Sequence, residues 1–277
     1  MSSSAPIAVF DSGVGGLTVV RALRRELPAE SVIYLGDTAR VPYGGKSRQT
    51  IERYAEEIVR ALLADDAKMV VVACNTASAL ALPRLRELFS VPIVGVIEPG
   101  VDAAIDATRS GHVAVIATKA TVRSGAYEQA LHAARANVRV TSLACPLLVP
   151  LIEEGLIEDP LTDSVLRRYL DPVLSTDADT LVLGCTHYPL LAAAIARAAG
   201  PRLRLVDSAA NCARAVREHL EKESLLAPAD STGSLRLFFT DAPDIFLGVA
   251  GHALGLETRS ASVRPVPHLG AAGDGAA

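Results

Sequence analysis

The chain has 277 residues, half of them hydrophobic, with 21% charged and a formal net charge of −4. That length suits one large domain or two of ordinary size, and a mildly acidic chain with dispersed basic residues argues against nucleic acid as the main partner. No apolar run is long enough to span a bilayer, and Met1-Ser2-Ser3-Ser4-Ala5-Pro6 lacks the regions of a signal peptide. The expected location is therefore the cytoplasm, with the four cysteines as reduced thiols.

In chain order, Ile7-Ala8-Val9-Phe10 reads as a first strand and Asp11-Ser12-Gly13-Val14-Gly15-Gly16 as a turn. A helix follows, with Val20, Leu23 and Leu27 on one face and Arg21, Arg24 and Arg25 on the other. Ser31 to Leu35 is a second strand, and Arg40 to Ser47 is a loop marked by Pro42, Gly44 and Gly45. Ile51, Tyr54, Ala55, Ile58 and Leu62 recur at helical spacing. A third strand is expected from Met69 to Ala73, a helix from about Ala77 to Leu88, and a fourth strand from Pro92 to Ile97, ending in a Pro99-Gly100 turn. Further strands are expected at His112–Ala117, Val138–Ser142, Thr180–Leu183, Arg202–Val206 and Leu235–Thr240, with helical patterns between most of them. This alternation is that of an α/β protein with mostly parallel sheets flanked by helices. The expected division is a first lobe of residues 1–97 plus 208–265, a second lobe of 98–207, and a disordered Gly/Ala-rich tail at 266–277.

Two stretches share one local frame. Val70-Val71-Val72-Ala73-Cys74-Asn75-Thr76 and Thr180-Leu181-Val182-Leu183-Gly184-Cys185-Thr186-His187 each run from an apolar strand through a small residue to a cysteine and polar residues. A single cysteine at a strand end most often packs as a small hydrophobe. The repeat of the frame, 185 − 74 = 111 residues later, instead suggests two similar halves. Each half would bring one thiol to the carboxyl end of a sheet, where open α/β sheets place their ligands. A helix starting just after each cysteine is expected to lower its thiol pKa. Cys145 and Cys212 lack the frame and read as structural.

Other residues are less clear. Asp11-Ser12-Gly13 is a helix cap or the wall of the same cleft, where glycines let backbone N–H groups approach an anion. Gly13-Val14-Gly15-Gly16 matches neither the dinucleotide fingerprint nor a P-loop. Tyr43, between Pro42 and Gly44, is a surface turn or a wall over a small polar ligand. His187, two positions after Cys185, is a solvated histidine or a partner for the thiolate. Glu153 taken alone reads as a solvated surface charge. The cysteines lack the paired close spacing of a zinc site.

With these stretches in view, the chain resembles the glutamate racemases, cofactor-independent enzymes that supply D-glutamate for bacterial peptidoglycan. The segments that carry the resemblance are Val9 to Gly16, Leu35 to Gly44, Ala73 to Ala77, Gly184 to Leu190 and Val206 to Ala209. The cysteine motifs alone indicate only the wider aspartate/glutamate racemase superfamily. The resemblance implies two α/β lobes of similar topology with the active site in the cleft between them, and Cys74 and Cys185 as the acid/base pair. It implies substrate contacts from Asp11, Ser12, Tyr43, Gly44, Asn75, Thr76, Thr186 and His187. Through Cys145 to Gly155 it makes Glu153 a supporting carboxylate beside His187, and it adds Thr118 and Thr121 as further carboxylate contacts. It implies glutamate as substrate, neither cofactor nor metal, and a homodimer as one possible assembly.

The α-proton of an amino acid is a very weak acid, so such a site has to stabilise the carbanion by preorganised hydrogen bonds. Two rival readings remain at this stage. One is another racemase or a decarboxylase of the same superfamily; the other is a non-catalytic binding protein on a two-lobed scaffold.

Overall fold

The computed structural model describes residues 2–241, 255 and 261–268. The first sheet is built from β1 (Ile7–Asp11), β2 (Val32–Gly36), β3 (Met69–Val72), β4 (Ile93–Gly95), β9 (Leu235–Phe239) and β10 (Ser262–Val263), in the order β10-β9-β2-β1-β3-β4. The second is built from β5 (His112–Ala117), β6 (Arg139–Ala144), β7 (Thr180–Gly184) and β8 (Arg204–Asp207), in the order β6-β5-β7-β8. Every pairing in both sheets is parallel.

Within the second sheet the order β6-β5-β7-β8 repeats the β2-β1-β3-β4 order of the first. β3 and β7 therefore hold equivalent places, each beside the first strand of its lobe. Cys74 follows β3 and Cys185 follows β7. The chain leaves β1 and β5 toward one side of the sheet and returns on the other, which opens a crevice at the strand carboxyl ends.

The central strands β1, β3, β5 and β7 are buried on both faces, as expected of parallel strands covered on both sides. Ile7 and Val9 of β1 face a core shared with α1 (Leu17–Glu26) and α11 (Ser208–Lys222). Ala8 and Phe10 face another core, which also takes in Val113 and Val115 of β5 and Val182 of β7. The two sheets thus each turn one face into a common core, while Ala114, Ile116, Leu181 and Leu183 face a third, on the far side of the second sheet.

Two sequence expectations change. The helix expected over 77–88 is two, α3 (Asn75–Leu80) and α4 (Leu82–Leu88), with the break at Ala81 and Pro83 in the first turn of α4. Proline supplies no N–H and crowds the preceding turn, so the helix restarts there. The strand expected to run to Ile97 ends at Gly95, and Pro99 and Gly100 lie inside α5 (Ile97–Ala107) rather than in a turn. Pro99 occupies the first turn, where its missing N–H costs nothing. Gly100 faces Ser208 of α11, and a Cβ there would stand 3.4 Å from Ser208 Cβ, an ordinary contact.

Of the residues expected in a tail at 266–277, Val266 is buried in the common core, and 269–277 lie outside the described residues, as do 242–254 and 256–260 of the expected first lobe. Arg264 anchors the chain just before it, donating to Ala61 O at 2.8 Å and pairing with Asp65. No helix among the described residues is long and apolar enough to cross a membrane.

Candidate active site between the two sheets

A cavity of about 350 Å³ opens at the carboxyl ends of both sheets. Ser12, Tyr43, Gly44, Cys74, Asn75 and Thr76 line it from the first sheet's side, and Thr118, Glu153, Cys185, Thr186 and His187 from the second's. Of the residues singled out from sequence, Asp11 and Thr121 alone do not reach its wall.

Cys74 is the residue before α3 and is buried. Its Sγ donates to Ser12 Oγ at 3.7 Å. Burial, reinforced by the negative charge of Asp11, pushes the Cys74 thiol up to about 12, although the Ala77 N–H and the Ser12 hydroxyl pull the other way. The expected lowering by a helix terminus therefore fails here: α3 is only six residues long, and desolvation outweighs the few N–H groups it offers. Nor does an α-helix start directly after Cys185. A 3-10 turn at Tyr188–Leu191 comes first, and α10 (Ala192–Ala199) follows it.

Cys185 has a different neighbour. Its Sγ lies 3.9 Å from His187 Nδ1, and His187 Nε2 lies 3.1 Å from Glu153 Oε1 at the end of α8 (Leu148–Glu153). Burial by itself would strip the proton from His187, but hydrogen bonds to Cys185 and Glu153 and their negative charges overcome it and raise the imidazole to about 10. The two thiols thus sit in unlike settings, Cys74 in one that favours the thiol and Cys185 beside an imidazolium.

Asp11 stands behind the wall. It is fully buried, accepts from Gly13 N at 3.1 Å, and accepts from Thr186 Oγ1 at 3.3 Å. Burial raises its carboxyl above the usual range against the opposing pull of His187 and those donors. Tyr43 is a wall: its hydroxyl donates to Asp37 Oδ2, and Asp37 is held in turn by Arg40 at 2.7 Å and by Thr240 Oγ1 at 2.9 Å. A Cβ on Gly44 would stand 3.1 Å from Thr118 Cβ, so a side chain there would press on Thr118 where the loop passes the second lobe.

Further contacts join the lobes beside the cavity. Thr76 Oγ1 lies 3.0 Å from Thr118 Oγ1 and 3.2 Å from Thr121 Oγ1, and the latter two are 3.0 Å apart. Tyr127, in α7 (Ala126–Ala134), donates to Asn75 Oδ1 at 2.7 Å. Asn75 Nδ2 is buried and has no hydrogen-bond partner among the described residues, which leaves a preorganised donor in a residue of the cavity wall.

The structure also brings in residues that sequence reasoning missed. Cys145, read as structural, lines the cavity with Pro146, Val149 and Pro150, as do Val41, Pro42, Gly45 and Lys119. The position of Cys145 at the carboxyl end of β6 was the available signal. Cys212 lies in α11 within the core shared with α1. No group of three or more His, Cys, Asp or Glu side chains among the described residues could hold a metal ion.

Residues 13–216 match the Asp/Glu/Hydantoin racemase family. The chain is 49% identical over 249 residues to a glutamate racemase of Geobacter metallireducens, covering 90% of this chain and 92% of the relative. It is 47% identical over 250 residues to a glutamate racemase of Syntrophus aciditrophicus, covering 90% and 93%. The crystal structure of a glutamate racemase isoform from Bacillus anthracis superposes with a TM-score of 0.90 at 39% identity, over 96% of this chain and 98% of that one. That of the Francisella tularensis glutamate racemase in complex with D-glutamate gives 0.89 at 35%, over 95% and 98%. Identity at this level over nine-tenths of the chain, together with a parallel two-sheet fold that closes on one cavity, makes the chain an amino-acid racemase: it belongs to the Asp/Glu/Hydantoin racemase family and, within it, to the glutamate racemases.

Proposed function

We propose that this enzyme interconverts L- and D-glutamate without a cofactor, by proton transfer between Cys74 and Cys185, and so supplies D-glutamate for peptidoglycan. The observation that carries the reading is the pair of thiols on one cavity, one delivered by each of two sheets with the same strand order. The relatives' names and the D-glutamate complex of the Francisella tularensis enzyme support glutamate as substrate. A binding protein has no use for two such thiols.

In the L-to-D direction Cys185 acts as thiolate and takes the α-proton. The electron pair left on carbon spreads into the α-carboxylate as an enediolate-like group. Cys74 then delivers its own proton to the opposite face, so Cys185 ends as thiol and Cys74 as thiolate. The D-to-L direction is the same sequence reversed, with Cys74 as the base. A Cys74 thiol raised to about 12 and a His187 imidazolium beside Cys185 support Cys74 as the proton donor in the first direction. The substrate's α-ammonium adds a positive charge that favours a thiolate, which helps Cys74 to serve as the base in the second.

These placements support the following roles. Asn75 Nδ2, Thr76, Thr186, Ser12 and the Gly44 backbone are the contacts for the substrate's polar groups, with Tyr43 as a wall and Thr118 beside Thr76. Donors fixed before the reaction stabilise developing charge without reorganising. His187 and Glu153 act on Cys185, Asp11 acts through Thr186 and on Cys74, and Thr121 holds the hydroxyl cluster. The test is loss of optical rotation from L-glutamate with no added cofactor. A purified, folded enzyme that leaves L-glutamate unchanged overturns the reading. Rescue of a D-glutamate-requiring bacterium by the gene tests the peptidoglycan role.

A further inference from the structure

The turn after β1 belongs to the first lobe, yet it grips the second lobe's Cys185-Thr186-His187 segment. Thr18 Oγ1, in the first turn of α1, shares its proton between Gly15 O at 2.9 Å and Thr186 O at 3.1 Å. A Cβ at Gly15 would stand 2.4 Å from His187 Nδ1 and 2.5 Å from Thr186 Oγ1, so the imidazole rests against bare backbone. Gly15 is not among the glycines of positive φ, so space, not backbone conformation, requires a glycine there. Thr18, Thr186 and His187 are all buried. Neither Gly15 nor Thr18 lines the cavity, and neither contacts Cys74 by any described hydrogen bond; the partner of Cys74 on this turn is Ser12.

We propose that Gly15 and Thr18 are positioning residues for one hand of the reaction: they seat the Cys185–His187 pair, the base for the L-isomer, from the opposite lobe and without touching substrate. This rests on the two-thiol reading above. Thr18 fixes the backbone one residue after Cys185, and Gly15 sets how near His187 can come to the first lobe. A small displacement of the pair lengthens proton transfer from one face of the α-carbon only, and misplacement by about 1 Å costs on the order of a hundredfold in rate.

The test separates the two hands with 3-chloroglutamate of L and of D configuration. One thiolate takes the α-proton, chloride leaves the β-carbon with the C–Cl electron pair, and water converts the resulting enamine to 2-oxoglutarate and ammonia. The second thiol is not needed, so chloride release reports one base at a time. Thr18→Val keeps the shape and removes the hydroxyl. It is expected to lower kcat/KM for the L-configured analogue by ~10-fold while the D-configured one stays within about twofold. Thr18→Ser, which restores the hydroxyl, should recover the L arm. Gly15→Ala should lower the L arm more strongly, by ~100-fold, with a smaller loss on the D arm because its Cβ also crowds Thr186. Parallel loss of both hands in Thr18→Val, or an unchanged L arm in that variant, overturns the inference while leaving the two-thiol reading intact. A parent enzyme that releases chloride from neither analogue overturns the two-thiol reading and this inference with it.

Discussion

Tyr127→Phe removes one oxygen atom from the seam between the lobes, and its consequences can be worked through. Tyr127 is buried and donates to Asn75 Oδ1 at 2.7 Å. Burial pushes its hydroxyl well above the usual range, so it remains a donor at any working pH. Phenylalanine keeps the ring, so no cavity term arises; what is lost is a hydrogen bond whose acceptor stays buried, a cost of about 1–3 kcal/mol. For a chain of this size each kcal/mol shifts Tm by roughly 2–4 °C, so a fall of about 2–12 °C is expected. The effect on function follows from the same bond. It fixes which way the Asn75 amide points, and the amide's Nδ2 is the unpartnered donor. A carboxylate hydrogen bond is worth about 1.5 kcal/mol or more, so an amide free to turn should raise KM for glutamate by ~10-fold. Thermal unfolding and steady-state polarimetry measure both effects. A variant that melts within about 1 °C of the parent, with KM unchanged, would refute the assignment of Tyr127 as the support of Asn75.

Other outcomes follow from the same structure. Cys74→Ala and Cys185→Ala should each abolish racemisation, yet Cys74→Ala should still release chloride from L-configured 3-chloroglutamate and Cys185→Ala from the D form; the same hand surviving in both contradicts the assignment. His187 is raised from 6.5 to about 10, so the folded state holds more protons than the unfolded one in that interval. Its stabilising contribution is complete below pH 6.5 and fades as pH climbs to about 10; His187→Asn should flatten the decline of Tm across this window, and an equally steep decline in the variant would count against the buried imidazolium. Lys68 Nζ sits 2.6 Å from Glu30 Oε2 with both side chains buried, and donates to Leu225 O at 2.7 Å. Lys68→Met strands the carboxylate and should cost about 3–5 kcal/mol in denaturant unfolding with KM unchanged at 25 °C, because the pair lies at the opposite end of β3 from Cys74.

The sheet strands and the cysteine frames were legible because each is local. An apolar run that ends in a small residue and a cysteine needs no distant contact to be read as a strand with a thiol at its carboxyl end, and β3 and β7 fall where those runs predict. Pro99-Gly100 misled for the opposite reason: its helix is set by packing on α11 and by a proline in a first turn, and the dipeptide alone cannot show either. The lowered thiol pKa expected for Cys74 failed because burial is a property of the whole fold. Cys145 looked structural because its stretch lacks the frame of the other two cysteines, although its place just past β6 brings it to the cavity.

The order of elements, the parallel α/β class and the two thiols at strand ends were thus determined by the sequence, because hydrophobic period and turn chemistry act over a few residues. The tertiary structure alone decided what each thiol faces. Glu153 meets His187 across 34 positions, Asp11 meets Thr186 across 175, and Thr18 meets Thr186 across 168. Such contacts depend on how two sheets share one core, and the protonation of a buried thiol depends on the charges and donors that this packing brings within a few ångströms of it.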